Sequence, residues 1–156
     1  MKIGLNILVG IIILFGSNCV QSQNDDNKII DMLREFYIKY NSVWMNESYS
    51  IEKFEEQLFS LQKIYCSERM QIELRQYYNI YRFEHDLITN DFGGSDEESF
   101  RSTLSISKYK ENTNTYIVSY MVLIDHPSAP RKEKNAIHVK VIQEGENYKI
   151  DEIIEP

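Results

Sequence analysis

Carboxylates crowd the middle of the chain, in the stretch HDLITNDFGGSDEES from residue 85 to residue 99. Its acidic members are Asp86, Asp91, Asp96, Glu97 and Glu98. Oxygen ligands of this kind bind calcium, but their spacing is not the alternating pattern of an EF-hand with a glycine at position six. We therefore predict no metal site and interpret the stretch as a solvated loop that contains Gly93 and Gly94.

Acid–base catalysis is the second chemistry that these carboxylates suggest. A buried Asp86 or Asp91 with a perturbed pKa would suit an isomerase or a dehydratase. The three histidines, His85, His126 and His138, do not support a catalytic triad, since His85 adjoins Asp86 and consecutive side chains point apart. The sequence also has no nucleophile elbow and no glycine-rich phosphate loop. We predict a non-enzymatic binding domain without a cofactor, and an acid–base enzyme or small-molecule carrier is the alternative.

The chain has two cysteines, Cys19 and Cys66. Cys66 lies beside the apolar residues Ile64 and Tyr65, and we interpret it as a small buried apolar residue rather than a nucleophile. Cys19 directly follows an apolar segment and small residues, which makes it the predicted site of lipid attachment. Export would then leave Cys66 without a partner for a disulfide within the chain.

The first residues have the pattern of a signal peptide. Lys2 precedes an uncharged, mostly apolar run from Ile3 to Phe15. This run is shorter than the roughly 20 residues needed to cross a bilayer core, but it suits a signal-peptide h-region. The sequence FGSNC that follows resembles a bacterial lipobox, which predicts a signal peptide over residues 1–18 and a lipidated Cys19 at the membrane of the bacterial envelope. The alternative is cleavage after Ser22 and a secreted or periplasmic protein.

Composition and charge limit the partners. The chain of 156 residues has 42% hydrophobic residues, which is enough for one core. Its net charge of -7 disfavours binding to nucleic acid and favours a basic protein partner. We predict a polar tether over residues 19–28 and a single domain over residues 29–156. The oligomeric state is not predicted.

Three helices are predicted from apolar residues at three- and four-residue steps. The first runs from about Asp26 to Trp44, with Asn24, Asp25 and Asp26 as capping residues. The second runs from about Ser50 to Gln62, and its predicted buried residues are Ile51, Phe54, Leu58 and Leu61. The third begins after Ser67, and its predicted apolar stripe comprises Met70, Leu74, Tyr77 and Tyr81.

From Ser102 onward the apolar pattern changes to a period of two, which is typical of strands. The stretch TYIVSYMVLI is apolar on both faces and predicts a central strand. Turns are predicted at Glu111 to Asn114 and at Glu144 to Asn147. Helices followed by antiparallel strands indicate the α+β class, with the long helix packed on a curled sheet.

The residues of three segments suggest a family. The segments are FYIKYNSVW at the end of the first helix, QKIYCSERM before the third helix, and GENYKIDEIIE at the last strand. Together with the spaced aspartates Asp86 and Asp91, they resemble the secreted and lipoprotein members of the nuclear-transport-factor-two-like superfamily. This resemblance implies a cone-shaped α+β fold over about residues 29–155, and it implies no particular chemistry.

In a cone of this kind, a ligand pocket would lie between the long helix and the sheet. Its predicted lining residues are Tyr37, Tyr40, Trp44, Tyr81, Asp86 and Asp91. The competing interpretation is that the aromatic residues fill the core and the aspartates cap turns. The predicted function is that of an envelope protein that binds a protein or a small ligand, for example as an inhibitor- or immunity-type partner.

Overall fold

A computed structural model describes residues 4–90, 96–110, 113–124 and 131–154, with side chains from residue 24 onward except at 123 and 124. Four helices precede four strands within these ranges. The helices are α1 (Gly4–Trp44), α2 (Ile51–Tyr65), α3 (Glu68–Tyr81) and α4 (Glu97–Thr103). The strands are β1 (Ser105–Lys108), β2 (Thr115–Ile124), β3 (Arg131–Glu144) and β4 (Asn147–Ile154). The predicted α+β class is confirmed.

The four strands form one antiparallel sheet in the order β1-β2-β3-β4. Strand β2 pairs with both β1 and β3, as its apolar faces predict. The predicted turn between β3 and β4 is also present, with Gly145 in the left-handed region at a φ of 63°. The pairing of β3 with β4 shifts register between Lys140 and Val141, as at a β-bulge.

The core lies between α1 and one face of this sheet. Helix α1 buries its predicted apolar face, and Leu33, Phe36, Tyr37 and Tyr40 are completely buried. The sheet contributes alternate residues, as a period of two requires. These are Tyr116, Val118, Ile137, Val139, Val141 and Ile150.

Helix α1 begins earlier than the sequence pattern indicates. Residues 19–28, the predicted tether, continue the helix, and Asn24, Asp25 and Asp26 therefore do not cap it. No proline interrupts this stretch, so its backbone can continue the helical hydrogen bonds. Asp26 instead accepts hydrogen bonds from the Lys108 ammonium at 2.7 Å and the Tyr116 hydroxyl at 2.7 Å. Among the described residues, no helix has the length and hydropathy of a membrane span.

The shorter helices begin as predicted but differ in detail. Ser50 and Ser67 are the N-caps of α2 and α3, and each side chain accepts a hydrogen bond from a backbone N–H. Helix α4 was not predicted: Asp96 is its N-cap, and Glu97 and Glu98 lie in its first turn rather than in a loop.

Two residues predicted to be buried are exposed. Ile51 is 74% exposed because it opens α2, and Tyr81 is 49% exposed because it closes α3. At each helix end the apolar stripe extends past the elements that cover it. The buried stripe of α3 is Met70, Leu74 and Tyr78.

Candidate functional site

A half-open cavity of about 660 Å³ lies between α2 and α3. One wall is a single face of α2, since Ile51, Glu55 and Phe59 follow each other at four-residue steps. The other wall is a face of α3 and the residues just after it. It comprises Arg75, Tyr78, Asn79, Arg82 and Phe83. We call this cavity the α2–α3 groove, and its volume lies within the range of about 300–1,000 Å³ typical of small-ligand sites.

The chain reverses sharply at the end of α3, and this reversal shapes one end of the groove. Arg82 has left-handed backbone angles of φ 49° and ψ 39°, and Phe83 follows with a φ of 62°. Each such conformation costs about 1–3 kcal/mol for a residue other than glycine. The Arg82 N–H donates to the Tyr78 carbonyl at 2.8 Å, which closes the last turn of α3.

Aromatic packing holds Phe83 in this position. Its ring stacks on Tyr78 with centroids 4.5 Å apart and an interplanar angle of 26°. On another side it meets Phe54 edge-on, with centroids 5.5 Å apart. Phe54 in turn packs edge-on against Trp44 of α1 at 5.0 Å. The strained turn is therefore supported by a chain of rings that begins on α1.

The groove carries two arginines whose charges are not neutralised. Among the residues that the structure describes, none forms an ion pair or a side-chain hydrogen bond with Arg75 or Arg82. Both side chains are exposed, and Glu55 is the acidic residue in the lining. By contrast, Arg69 and Arg101 are paired with Asp151 and Glu97. In a chain with a net charge of -7, the groove is thus a local site with two cations and one anion.

Two of the residues predicted to line a pocket between α1 and the sheet, Tyr40 and Asp86, belong to a closed polar network. The Asp86 side chain is completely buried. Its Oδ1 accepts hydrogen bonds from the hydroxyls of Tyr40 at 2.8 Å and Tyr78 at 2.9 Å. Its Oδ2 accepts from the Thr89 hydroxyl at 2.6 Å and the Thr89 N–H at 3.0 Å. Tyr37 lies beside this network and donates to the Ile88 carbonyl at 3.1 Å.

This network holds the loop that follows α3 against the core. Burial raises the pKa of Asp86, while hydrogen bonds from Thr89, Tyr40 and Tyr78 act in the opposite direction. Burial and the Asp86 carboxylate raise the pKa values of Tyr40 and Tyr78 well above the usual value for tyrosine. Both hydroxyls therefore stay protonated and can donate to Asp86. The loop is held on its far side by Tyr120 and Asn135, which donate to the Thr89 carbonyl at 3.0 and 2.7 Å.

Of the remaining predicted pocket residues, Trp44 borders this network through Tyr40, and Tyr81 lies apart from it. Trp44 is partly buried, and its ring lies 6.5 Å from that of Tyr40. Tyr81 is exposed, and its ring packs on Tyr77 at 4.5 Å. Asp91 and the side chain of Cys19 fall outside the described residues.

The acidic stretch and the other reactive residues have structural partners. Asp96 accepts from the Ser99 N–H at 2.9 Å, and Glu97 binds Arg101 at 2.6 Å. Within the described ranges, no group of three or more His, Cys, Asp or Glu residues is arranged to hold a metal ion. His85 Nδ1 lies 2.7 Å from the Tyr77 hydroxyl. Cys66 is 1% exposed, and burial raises the pKa of its thiol to about 12.

Sequence reasoning missed the α2–α3 groove. The sequence contains Ile51, Glu55 and Phe59 at steps of four residues, and Arg75, Asn79 and Arg82 at steps of four and three. The spacing does not show that these two sets of residues face each other in the folded protein. That information depends on the turn at Cys66 and Ser67, where an isolated bridge joins Cys66 to Ile150 of β4.

Comparisons with known proteins support the fold. No protein-family model matches the chain, and no curated protein matches it. Among solved structures, the chain is similar to a protein of unknown function from Bacteroides thetaiotaomicron VPI-5482. The two share 20% identity and a TM-score of 0.73, over 90% of this chain and 99% of the other. At this identity, the similarity shows a shared α+β fold and nothing about activity.

Proposed function

We propose that this chain is an exported, non-enzymatic binding domain whose ligand site is the α2–α3 groove. The observation that carries this proposal is the pairing of a cavity of about 660 Å³ with two arginines that have no partner in the described structure. A concave surface with apolar walls and a few convergent polar groups is the usual form of a ligand site.

The acid–base alternative has less support. A general base must come within hydrogen-bond reach of its substrate. Asp86 is fully buried, and its two oxygens accept hydrogen bonds from Tyr40, Tyr78 and Thr89. These contacts suit a carboxylate that fixes a loop, so we do not assign it a catalytic role.

A nuclear-transport-factor-two-like architecture is part of the proposal. It is supported by the order of a long helix, three shorter helices and a curled antiparallel sheet. It is also supported by the contact between two segments that carry the resemblance, since the Ser67 hydroxyl donates to Asp151 Oδ1 at 2.8 Å.

Export and lipidation at Cys19 are proposed from the leader sequence. The support is Lys2, the apolar run from Ile3 to Phe15, and the lipobox-like sequence that ends at Cys19. Intact mass of the protein purified from membranes tests this point. A chain that begins at Cys19 and carries acyl groups is expected, whereas a chain that begins at Gln23 without acyl mass would contradict the anchor.

A matched pair of variants tests the binding site. Ile51→Glu places a carboxylate in the groove, and little packing is lost because Ile51 is 74% exposed. Ile64→Glu is the control, because Ile64 is 57% exposed on the same helix and outside the groove. The isotope-labelled protein would be titrated with a small-molecule extract of bacterial envelopes and followed by NMR.

Shift changes are expected at groove residues in the wild type and in the Ile64→Glu variant, but not in the Ile51→Glu variant. Changes that are equal in both variants, or absent from the groove in the wild type, would contradict the proposed site. A basic protein partner at the acidic outer surface stays a separate prediction from the net charge.

A further inference from the structure

We infer that the α2–α3 groove binds a small apolar acid, with its carboxylate on Arg75 and Arg82 and its apolar body between Phe59 and Phe83. This inference rests on the proposed function and specifies the ligand class. A free small molecule is proposed rather than a protein segment, since the cavity of about 660 Å³ matches the volume of small-ligand sites.

The two arginines of the groove are placed to bind one anion together. Arg75 lies on α3, and Arg82 is the C-cap residue that directly follows the helix, so the two arginines line the same wall of the groove. Their long side chains both line the groove and can converge on an anion between them. A guanidinium group binds a carboxylate through two parallel N–H···O hydrogen bonds, which fixes both position and orientation.

The dipoles of α2 and α3 do not change the preference of the groove for an anion. The C-terminal end of α3 is near Arg82, and the N-terminal end of α2 is at Ile51, so the negative end of one helix dipole and the positive end of the other both border the groove. These two half-charges offset each other. The sign of the site is then set by its side chains, where two arginines outnumber the single carboxylate of Glu55.

The walls of the groove also carry apolar surface. Ile51 is 74% exposed, and Phe59 and Phe83 are partly buried, so the groove presents carbon surface to water. An inorganic anion would leave this surface hydrated. A ligand with an aromatic or aliphatic body would bury it, and this burial is favourable in proportion to its area.

The net charge of the protein does not oppose this ligand at contact distance. The net charge of -7 is a sum over the whole chain, whereas the groove lining has two arginines and one carboxylate. At physiological ionic strength, exposed charges are screened beyond about 8 Å. Contact with Arg75 and Arg82 therefore outweighs the repulsion from distant carboxylates.

Calorimetric titration with three probes tests the inference. The probes share a naphthalene ring and differ in the head group: 2-naphthoate is an anion, 2-naphthalenemethanol is neutral and 2-naphthylmethylamine is a cation. The carboxylate is expected to bind at least about ten-fold more tightly than the alcohol, since hydrogen bonds to charged groups contribute that much or more. The amine is expected to bind most weakly.

Charge-matched variants separate the groove from net charge. The double variant Arg75→Gln/Arg82→Gln should remove the advantage of the carboxylate and leave the alcohol unchanged. The control Lys132→Gln/Lys134→Gln also removes two positive charges, at exposed positions of β3 outside the groove, and should leave all three affinities unchanged. Circular dichroism of each variant checks that it is folded.

The possible results distinguish this inference from the proposed function. Equal affinity for the acid and the alcohol would overturn the acid preference while leaving the groove as a binding site. Failure of all three probes to bind would contradict both. Tighter binding of a peptide that ends in Phe-Leu with a free carboxylate would replace the small acid with a protein terminus and so overturn the inference.

Discussion

The hydroxyl of Ser67 donates a 2.8 Å hydrogen bond to the carboxylate of Asp151, joining the start of α3 to strand β4. The same hydroxyl accepts from the Met70 N–H, and the Ser67 N–H donates to the Ile150 carbonyl. Arg69 adds an ion pair with Asp151 at 2.8 Å. Helix α3, which carries Arg75 and is followed directly by Arg82, is thus fixed to the sheet at its N-cap residue.

We expect Asp151→Ala to lower the free energy of unfolding by about 1–3 kcal/mol, because it removes the carboxylate that accepts from the buried Ser67 hydroxyl and from the Arg69 guanidinium. Chemical denaturation measures this change. Glu152→Ala is the matched control, since Glu152 is more exposed and contacts Arg69 at 3.5 Å. Equal losses in the two variants would contradict a special role for Asp151.

The pH dependence of stability gives a second readout of the same residue. Hydrogen bonding to Arg69 lowers the pKa of Asp151 below its usual value, although burial acts in the opposite direction. The carboxylate therefore stabilises the fold above the unfolded pKa of about 3.9, and this stabilisation is lost as the pH falls through the lower folded pKa. The difference in unfolding free energy between the wild type and Asp151→Ala should shrink below about pH 4. A difference that stays constant down to pH 2 would contradict this assignment.

Asp26 gives a prediction about where the folded domain begins. Although burial acts to raise it, hydrogen bonds from Lys108 and Tyr116 lower the pKa of Asp26. Removing this carboxylate by Asp26→Ala should lower the free energy of unfolding by about 1–2 kcal/mol. Asp31→Ala is the control, because Asp31 is exposed on the same helix. If the two variants are equally stable, the domain begins after Asp26, nearer to the predicted boundary at residue 29.

The fold was largely predictable because its determinants are local and periodic. The three- and four-residue spacing of Leu33, Phe36, Tyr37 and Tyr40 specifies the buried face of α1, and the alternation of Tyr116 and Val118 specifies that of β2. Helix ends were less predictable. The exposure of Ile51 depends on which neighbours cover the first turn of α2, and the sequence of α2 does not contain that information.

The site was not predictable for the same physical reason. The residue types of Tyr40 and Asp86 make them candidates for a ligand pocket. Whether they line a cavity or fill a core depends on how tightly α1 and the loop after α3 pack. Here Tyr40 and Asp86 are both completely buried. Arg75 on α3 and Arg82 just after it are ordinary exposed arginines in the sequence, and only the position of α2 makes them part of the proposed site.

Cys66 should resist thiol reagents in the folded protein. Its side chain is 1% exposed and its pKa is raised to about 12 by burial, so the reactive thiolate is scarce at neutral pH. We expect iodoacetamide to modify Cys66 at pH 8 only as fast as the protein unfolds, with rapid modification in guanidinium chloride. Peptide mapping by mass spectrometry follows this residue separately from Cys19. Rapid native labelling of Cys66 would show an accessible thiol instead.

Glu55 provides a sensitive probe of charge in the groove. It lines the same cavity as Arg75 and Arg82, so its carboxylate should repel a bound acid. We expect Glu55→Gln to raise the affinity for 2-naphthoate about two- to five-fold, the size of a partly exposed charge interaction, and to leave the alcohol unchanged. Glu56→Gln is the control, because Glu56 pairs with Lys53 at 2.7 Å and lies outside the groove. An unchanged affinity in Glu55→Gln would indicate that the acid binds elsewhere.

The most direct test of the central claim is an NMR measurement of intermolecular nuclear Overhauser effects between 2-naphthoate and the isotope-labelled protein. We expect contacts from the naphthalene protons to Phe59 and Phe83, with amide shift changes at Arg75 and Arg82. Contacts concentrated instead at the smaller cavity of about 300 Å³ lined by Asp25, Lys108 and Tyr148, or contacts to neither cavity, would contradict the assignment of the α2–α3 groove as the binding site.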